Sequence, residues 1–138
     1  AVLASPEDGD WTVSAAAIYL LRALDREHTK QNPVGDHVFP CCGHGIYDVG
    51  EPDVVICGCP SGIDIEIRHR PNVYELLAGD GRKFNVTQRE WQSAVRAFSQ
   101  QVLAFYDASA PKQPASDEDR KGFSAMMTEW KRRHANCQ

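Results

Sequence analysis

Residues Ile63 to Glu90 read IDIEIRHRPNVYELLAGDGRKFNVTQRE, and the architecture follows from this stretch. Ile63, Ile65 and Ile67 alternate with Asp64, Glu66 and Arg68, the period of a half-buried strand. Two further β-rich runs follow, Val73–Leu77 and Lys83–Val86, and Gly79-Asp80-Gly81 between them has the composition of a hairpin loop. Connections this short demand antiparallel pairing. Thr87-Gln88-Arg89-Glu90 is then a capping box. Each side chain can accept the other residue's backbone N–H, so a helix starts there.

Toward the C-terminus, Trp91, Val95, Phe98, Val102 and Phe105 recur at helical spacing and predict a helix laid along the sheet. Pro111 and Pro114 end it, with 111–116 as a linker. Ser116 opens a third helix. Asp117, Glu118 and Asp119 in its first turn and Lys131, Arg132 and Arg133 in its last both suit the helix dipole. Phe123, Met127, Trp130 and His134 make its expected inner face.

Toward the N-terminus, WTVSAAAIYLLRALDREH predicts a helix from Asp10 or Ser14 to about His28. Its first half is apolar on most sides, so it is packed from two directions, with Asp10 as cap and Trp11 as its more open aromatic. Residues 1–10 are polar and read as a loose segment, and Asn-Pro and Gly within Gln31–Asp36 break the chain. Short β runs at His37–Phe39, Ile46–Val49 and Val54–Cys57 precede the quoted strand, and Pro60-Ser61-Gly62 turns into it. The expected fold is α+β: an N-terminal helix, a small antiparallel sheet of about four to six short strands, then two C-terminal helices, in one domain over 1–138.

With 42% hydrophobic and 25% charged residues, the chain has an ordinary globular composition. A net charge of −4 argues against a general nucleic-acid binder. The longest apolar run, Ala15–Leu21, falls well short of the ~20 residues a bilayer requires, so no membrane span is expected. Five cysteines are an odd set, which points away from a disulfide framework and toward a reducing, cytoplasmic setting. The chain opens at Ala1 without a methionine, as after signal cleavage or trimming.

The chemistry concentrates in Phe39–Gly62, FPCCGHGIYDVGEPDVVICGCPSG. Cys41 with His44 and Cys57 with Cys59 form two close pairs on neighbouring strands, a candidate zinc set. The simpler reading of the same thiols is as small apolar residues packed in turns. Cys41 or Cys42 with His44 or His69 would make a nucleophile and base, although the acidic surroundings raise a thiol pKa. From Val38 to Ile67 there are five acids, Asp48, Glu51, Asp53, Asp64 and Glu66, and no Lys or Arg. Asp64 and Glu66, with Asp53 nearby, could act as an acid–base pair. The acids otherwise form a solvated face or a surface that selects a basic partner.

The runs HVFPCCGHGIYDVG and DVVICGCPSGIDIEI, followed by two helices, resemble small bacterial immunity proteins encoded beside toxin domains in contact-dependent and other polymorphic toxin systems. The resemblance is carried by the Cys41-Cys42-Gly43 and Gly58-Cys59-Pro60 turns and extends from Val38 into the third helix. It implies a non-enzymatic protein, without cofactor, that binds and neutralises one cognate toxin. Asp48, Glu51, Asp53, Asp64 and Glu66 would then meet a basic toxin surface. A zinc-organised binding module built on Cys41, His44, Cys57 and Cys59 is the alternative expectation, and a Cys-His enzyme is the third.

Overall fold

Three helices and seven short strands make up the computed structural model, which describes residues 5, 7, 9, 11–42 and 45–136. In chain order these are α1 (Val13–Asp25), β1 (Phe39–Pro40), β2 (Gly45–Tyr47), β3 (Val55–Cys57), β4 (Gly62–Ile63), β5 (Ile65–Arg70), β6 (Val73–Ala78), β7 (Lys83–Thr87), α2 (Gln88–Ala108) and α3 (Asp117–Asn136). The class is α+β, with one helix before the strands and two after them. The strands form three small antiparallel sheets: β1–β4, β2–β3 and β5–β6–β7.

The alternating isoleucines form the heart of the largest sheet. Ile67 pairs with Leu76, which pairs with Phe84, and Tyr74 pairs with Val86 on the same face. This face meets the end of α1 and the start of α2: Tyr74 Oη donates to the Leu24 carbonyl at 3.4 Å, and its ring lies 6.2 Å from Trp91. The opposite face carries ion pairs, Arg68–Glu66 at 2.6 Å along β5 and Lys83–Glu75 at 2.5 Å between β7 and β6. Between β5 and β6, Pro71 precedes Asn72 at φ 65°, the positive-φ position of a two-residue turn.

The expected strand Ile63–Arg68 is divided at Asp64. Ile63 pairs back to Phe39, whereas Ile65 onward pairs with β6. Asp64 Oδ1 accepts the Val38 N–H at 3.0 Å and lies 3.0 Å from His28 Nε2. His28 Nδ1 accepts the Val34 N–H at 3.0 Å, which leaves the imidazole proton on Nε2, facing Asp64. His28 thus lies outside α1, which ends at Asp25 because Arg26 turns extended and the His28 backbone pairs with Ile67 instead. The expected cap Asp10, and most of the segment 1–10, lie outside the described residues. Trp11 is half-buried.

The Thr87–Glu90 capping box forms as read. Along α2 the buried face passes from Phe98 and Val102 to Tyr106, while Phe105 is 65% exposed. Tyr106 Oη is 2.6 Å from Ser14 Oγ, and its ring meets Trp130 edge-on. After the linker, the Asp119 N–H is capped by Ser116 Oγ at 3.1 Å. In α3 the fully buried face is Gly122, Met126, Glu129, Trp130 and Arg133, rotated from the expected one and containing two charges. Phe123, Met127 and His134 are half-buried beside it.

Those charges close the core. Arg22, in the second half of α1, donates Nε to Glu129 Oε1 at 2.7 Å and Nη2 to Oε2 at 2.9 Å. Two further donors reach the carbonyls of Val34 at 2.8 Å and Val54 at 2.7 Å. Glu129 also accepts the Val54 N–H at 2.9 Å and Arg133 Nε at 2.9 Å. Arg133 continues to Asp25 and to Asp53 Oδ1, the latter at 2.6 Å. Burial pushes the Glu129 and Asp53 carboxyls up, but the arginines beside them more than offset this and hold both below the usual range. Burial acts likewise on Asp64, and the His28 and Val38 hydrogen bonds prevail.

Removing one member of the Arg22–Glu129 pair strands its partner without a counter-charge. Glu129→Ala should therefore cost about 3–5 kcal/mol in denaturant unfolding. Because the three carboxyls are depressed in the folded state, the stability they contribute is complete above about pH 4.3. It falls as pH drops through their folded values, so Tm should decline steeply only on that acid side, with a shallower decline in Glu129→Gln. Gly122 faces the Ile46 carbonyl oxygen, which an added Cβ would meet at 1.8 Å. Gly122→Ala should destabilise by at least ~1–3 kcal/mol and loosen β2 first, seen as faster amide exchange there.

Candidate functional site

The chemistry-bearing stretch folds into the β2–β3 hairpin and the turns at its base. The stem is three pairs long, Gly45↔Cys57, Ile46↔Ile56 and Tyr47↔Val55. A ladder this short is marginal alone, and the rest of the protein grips it. Gly122 of α3 lies against Ile46, Glu129 takes the Val54 N–H, and Arg132 donates to the Pro52 carbonyl at 2.9 Å. The outer surface is apolar: Tyr47 is 40% exposed, Val49 51% and Val55 43%.

At the base stand the thiols. The sulfurs of Cys41, Cys42 and Cys59 all lie within 4.8 Å of one another. Cys41 Sγ is 3.6 Å from Cys42 Sγ and 3.1 Å from Ser61 Oγ, while Cys42 Sγ accepts the Cys59 N–H at 3.0 Å. Hydrogen bonds from the Cys59 side chain and backbone, then from Cys41, draw the Cys42 thiol below its ordinary value. Side-chain hydrogen bonds with Cys42 and then Cys41, together with burial, push Cys59 up to about 11. The four described cysteines, Cys41, Cys42, Cys57 and Cys59, thus divide. The first two and Cys59 are half-buried together, whereas Cys57, at the end of β3, is exposed and outside the group.

The expected ligand set was Cys41, His44, Cys57 and Cys59. The structure brings Cys41 and Cys59 together with Cys42 rather than with Cys57, because the Cys57 register pairs it with Gly45 across the hairpin. His44 lies outside the described residues, as does Cys137. Among the described residues no histidine joins the thiol group. His69 Nε2 lies 2.9 Å from the Ala23 carbonyl, and His28 is enclosed between Val34 and Asp64.

The five acids also divide. Asp48 and Glu51 are exposed in the hairpin loop, where Asp48 Oδ1 accepts the Gly50 N–H at 3.0 Å. Neither makes an ion pair among the described residues. Asp53 faces Arg26, Arg132 and Arg133, Asp64 is held by His28 and Val38, and Glu66 is paired with Arg68. Asp53, Asp64 and Glu66 therefore sit in three separate environments, not in one acid–base site. An open depression of about 670 Å³ lies beside Asp48 and Glu51, bordered by Arg120, Lys121 and Arg132 of α3.

The residues missed in the sequence are Arg22, Glu129 and Arg133, and Cys42 as the partner of Cys41 and Cys59 in place of Cys57. Arg22 alone carried a signal, being the one charge between the apolar run Ala15–Leu21 and Ala23-Leu24. No described helix is long and apolar enough to cross a membrane. Comparison of the chain with protein-family models, curated proteins and solved structures finds no match.

The thiol environments give an order of reactivity. Near neutral pH a limiting amount of iodoacetamide should label Cys42 ahead of Cys59, as read by peptide mapping.

Proposed function

We propose that the protein is a non-enzymatic binding protein of the immunity type, which docks the β2–β3 hairpin on a basic surface of a cognate protein toxin. The observation that carries this reading is the exposed face of Tyr47, Val49 and Val55 with Asp48 and Glu51 beside it. Exposed apolar side chains on an element gripped from behind are the form of an interface centre. The flanking carboxylates favour a partner of opposite charge and speed its approach. The short stem tied to α3 limits the ordering cost on binding, since the hairpin is already in place.

The acid-only stretch contributes unevenly in this reading. Asp48 and Glu51 meet the partner, while Asp53, Asp64 and Glu66 spend their charge within the protein. The test is native mass spectrometry of the protein enriched from its own host, beside an Asp48→Lys/Glu51→Lys variant and a Tyr47→Ser/Val49→Ser variant. A stoichiometric basic companion is expected with the parent chain, and its activity as a toxin should be blocked by adding the pure protein. Both variants should lose the companion, the charge variant through an on-rate lowered by about tenfold or more and less sensitive to salt. A companion kept unchanged by both variants contradicts the hairpin as the docking element.

A further inference from the structure

We propose that Cys41, Cys42 and Cys59 form a binding site for one thiophilic d10 metal ion, zinc(II) or copper(I), at the base of the β2–β3 hairpin. The inference stands on the thiol geometry and is independent of what the hairpin binds. Three sulfurs lie within 4.8 Å of one another, with Cys41 and Cys42 at 3.6 Å. Zinc–thiolate bonds of about 2.3 Å place tetrahedral ligand sulfurs about 3.8 Å apart, so closing the group on an ion requires only small side-chain rotations. The donor set is all sulfur, which favours soft ions and disfavours calcium and magnesium.

Two of the three sulfurs have hydrogen-bonding groups beside them. The Cys59 N–H points at Cys42 Sγ at 3.0 Å, and Ser61 Oγ lies 3.1 Å from Cys41 Sγ. Such donors spread the charge of a thiolate and orient it toward the ion. The backbone is fixed as well, since the Cys41 N–H donates to the Ser61 carbonyl at 3.1 Å. All three cysteines are half-buried, open enough for an ion to enter. Three protein ligands leave a fourth position on zinc for water or for a partner's side chain, while copper(I) is satisfied by three.

Position gives the site a role. Cys41 and Cys42 precede β2, and Cys59 follows β3, so a single ion joins the two legs of a hairpin with only three pairs. Metal binding would fix the base as Glu129 and Arg132 fix the far end.

The test uses the full chain, reduced under anaerobic conditions, titrated with cobalt(II) and cadmium(II) as spectroscopic probes. Zinc(II) and copper(I) then compete in separate arms. One ion per chain is expected by native mass spectrometry, together with a thiolate-to-metal charge-transfer band. Cys42→Ser and Cys59→Ser should weaken binding by more than the roughly 10–100-fold typical of outer-shell changes. Cys57→Ser, outside the group, should bind as the parent does. Should either weakened variant fail to fold by circular dichroism, the unmutated chain still decides: bound metal should shield Cys41, Cys42 and Cys59 from alkylation and leave Cys57 labelled. No stoichiometric ion, binding indifferent to Cys42→Ser and Cys59→Ser, or equal shielding of Cys57 would overturn the site.

Discussion

The buried Arg22–Glu129 pair is the constraint on which the rest of the structure depends. Taking both charges out of water costs several kcal/mol apiece, and their attraction offsets this only with excellent geometry and fully satisfied lone pairs and protons. The geometry meets that condition. Each Glu129 oxygen accepts two donors, from Arg22 and Arg133 at Oε1 and from Arg22 and Val54 at Oε2. Arg22 places two further donors on the backbone carbonyls of Val34 and Val54. Apolar side chains of equal volume could hold α1 and α3 together as firmly. They would not specify where the chain at Val34 and Val54 must lie, which directional bonds to those two backbones do.

That placement links the core to the surface. Val54 begins the return leg of the hairpin, and Asp53 just before it is drawn to Arg133 and Arg132. A charged core thereby helps to order the hairpin, whose Ile46, Val54 and Ile56 also pack on the apolar core. The outward consequence is a fixed ridge bearing Tyr47, Val49 and Val55. The thiol group ties the same hairpin at its other end, so both candidate functional features share one structural element.

Much of this was legible in the sequence, and the remainder failed for identifiable reasons. The capping box, the hairpin loop at Gly79–Gly81 and the isoleucine alternation are local signals, and each produced its element. The division at Asp64 was hidden because period two describes a strand without revealing that one side chain turns to cap another segment's backbone. Phe105 and Tyr106 exchanged roles because an ideal helical stripe drifts, and the partners across the groove, Ser14 and Trp130, decide which aromatic is kept. Arg133 looked like a dipole-suited terminal cation, and Glu129 lay outside the helical face read as apolar. Their burial depends on Arg22, more than a hundred residues away, which no window of sequence contains. The thiols were recognised as a group, but C-x2-H and C-x-C spacing could not show that Cys42 rather than Cys57 turns inward.

Native-state amide hydrogen exchange at Val54 tests the account most directly. If the Arg22–Glu129 pair holds the hairpin to the helical core, the Val54 amide exchanges only through openings nearly as costly as global unfolding, in step with the core amides of α1. Exchange of Val54 at the rate of an exposed loop amide, with α1 fully protected, would contradict it and leave the hairpin independent of the charged core.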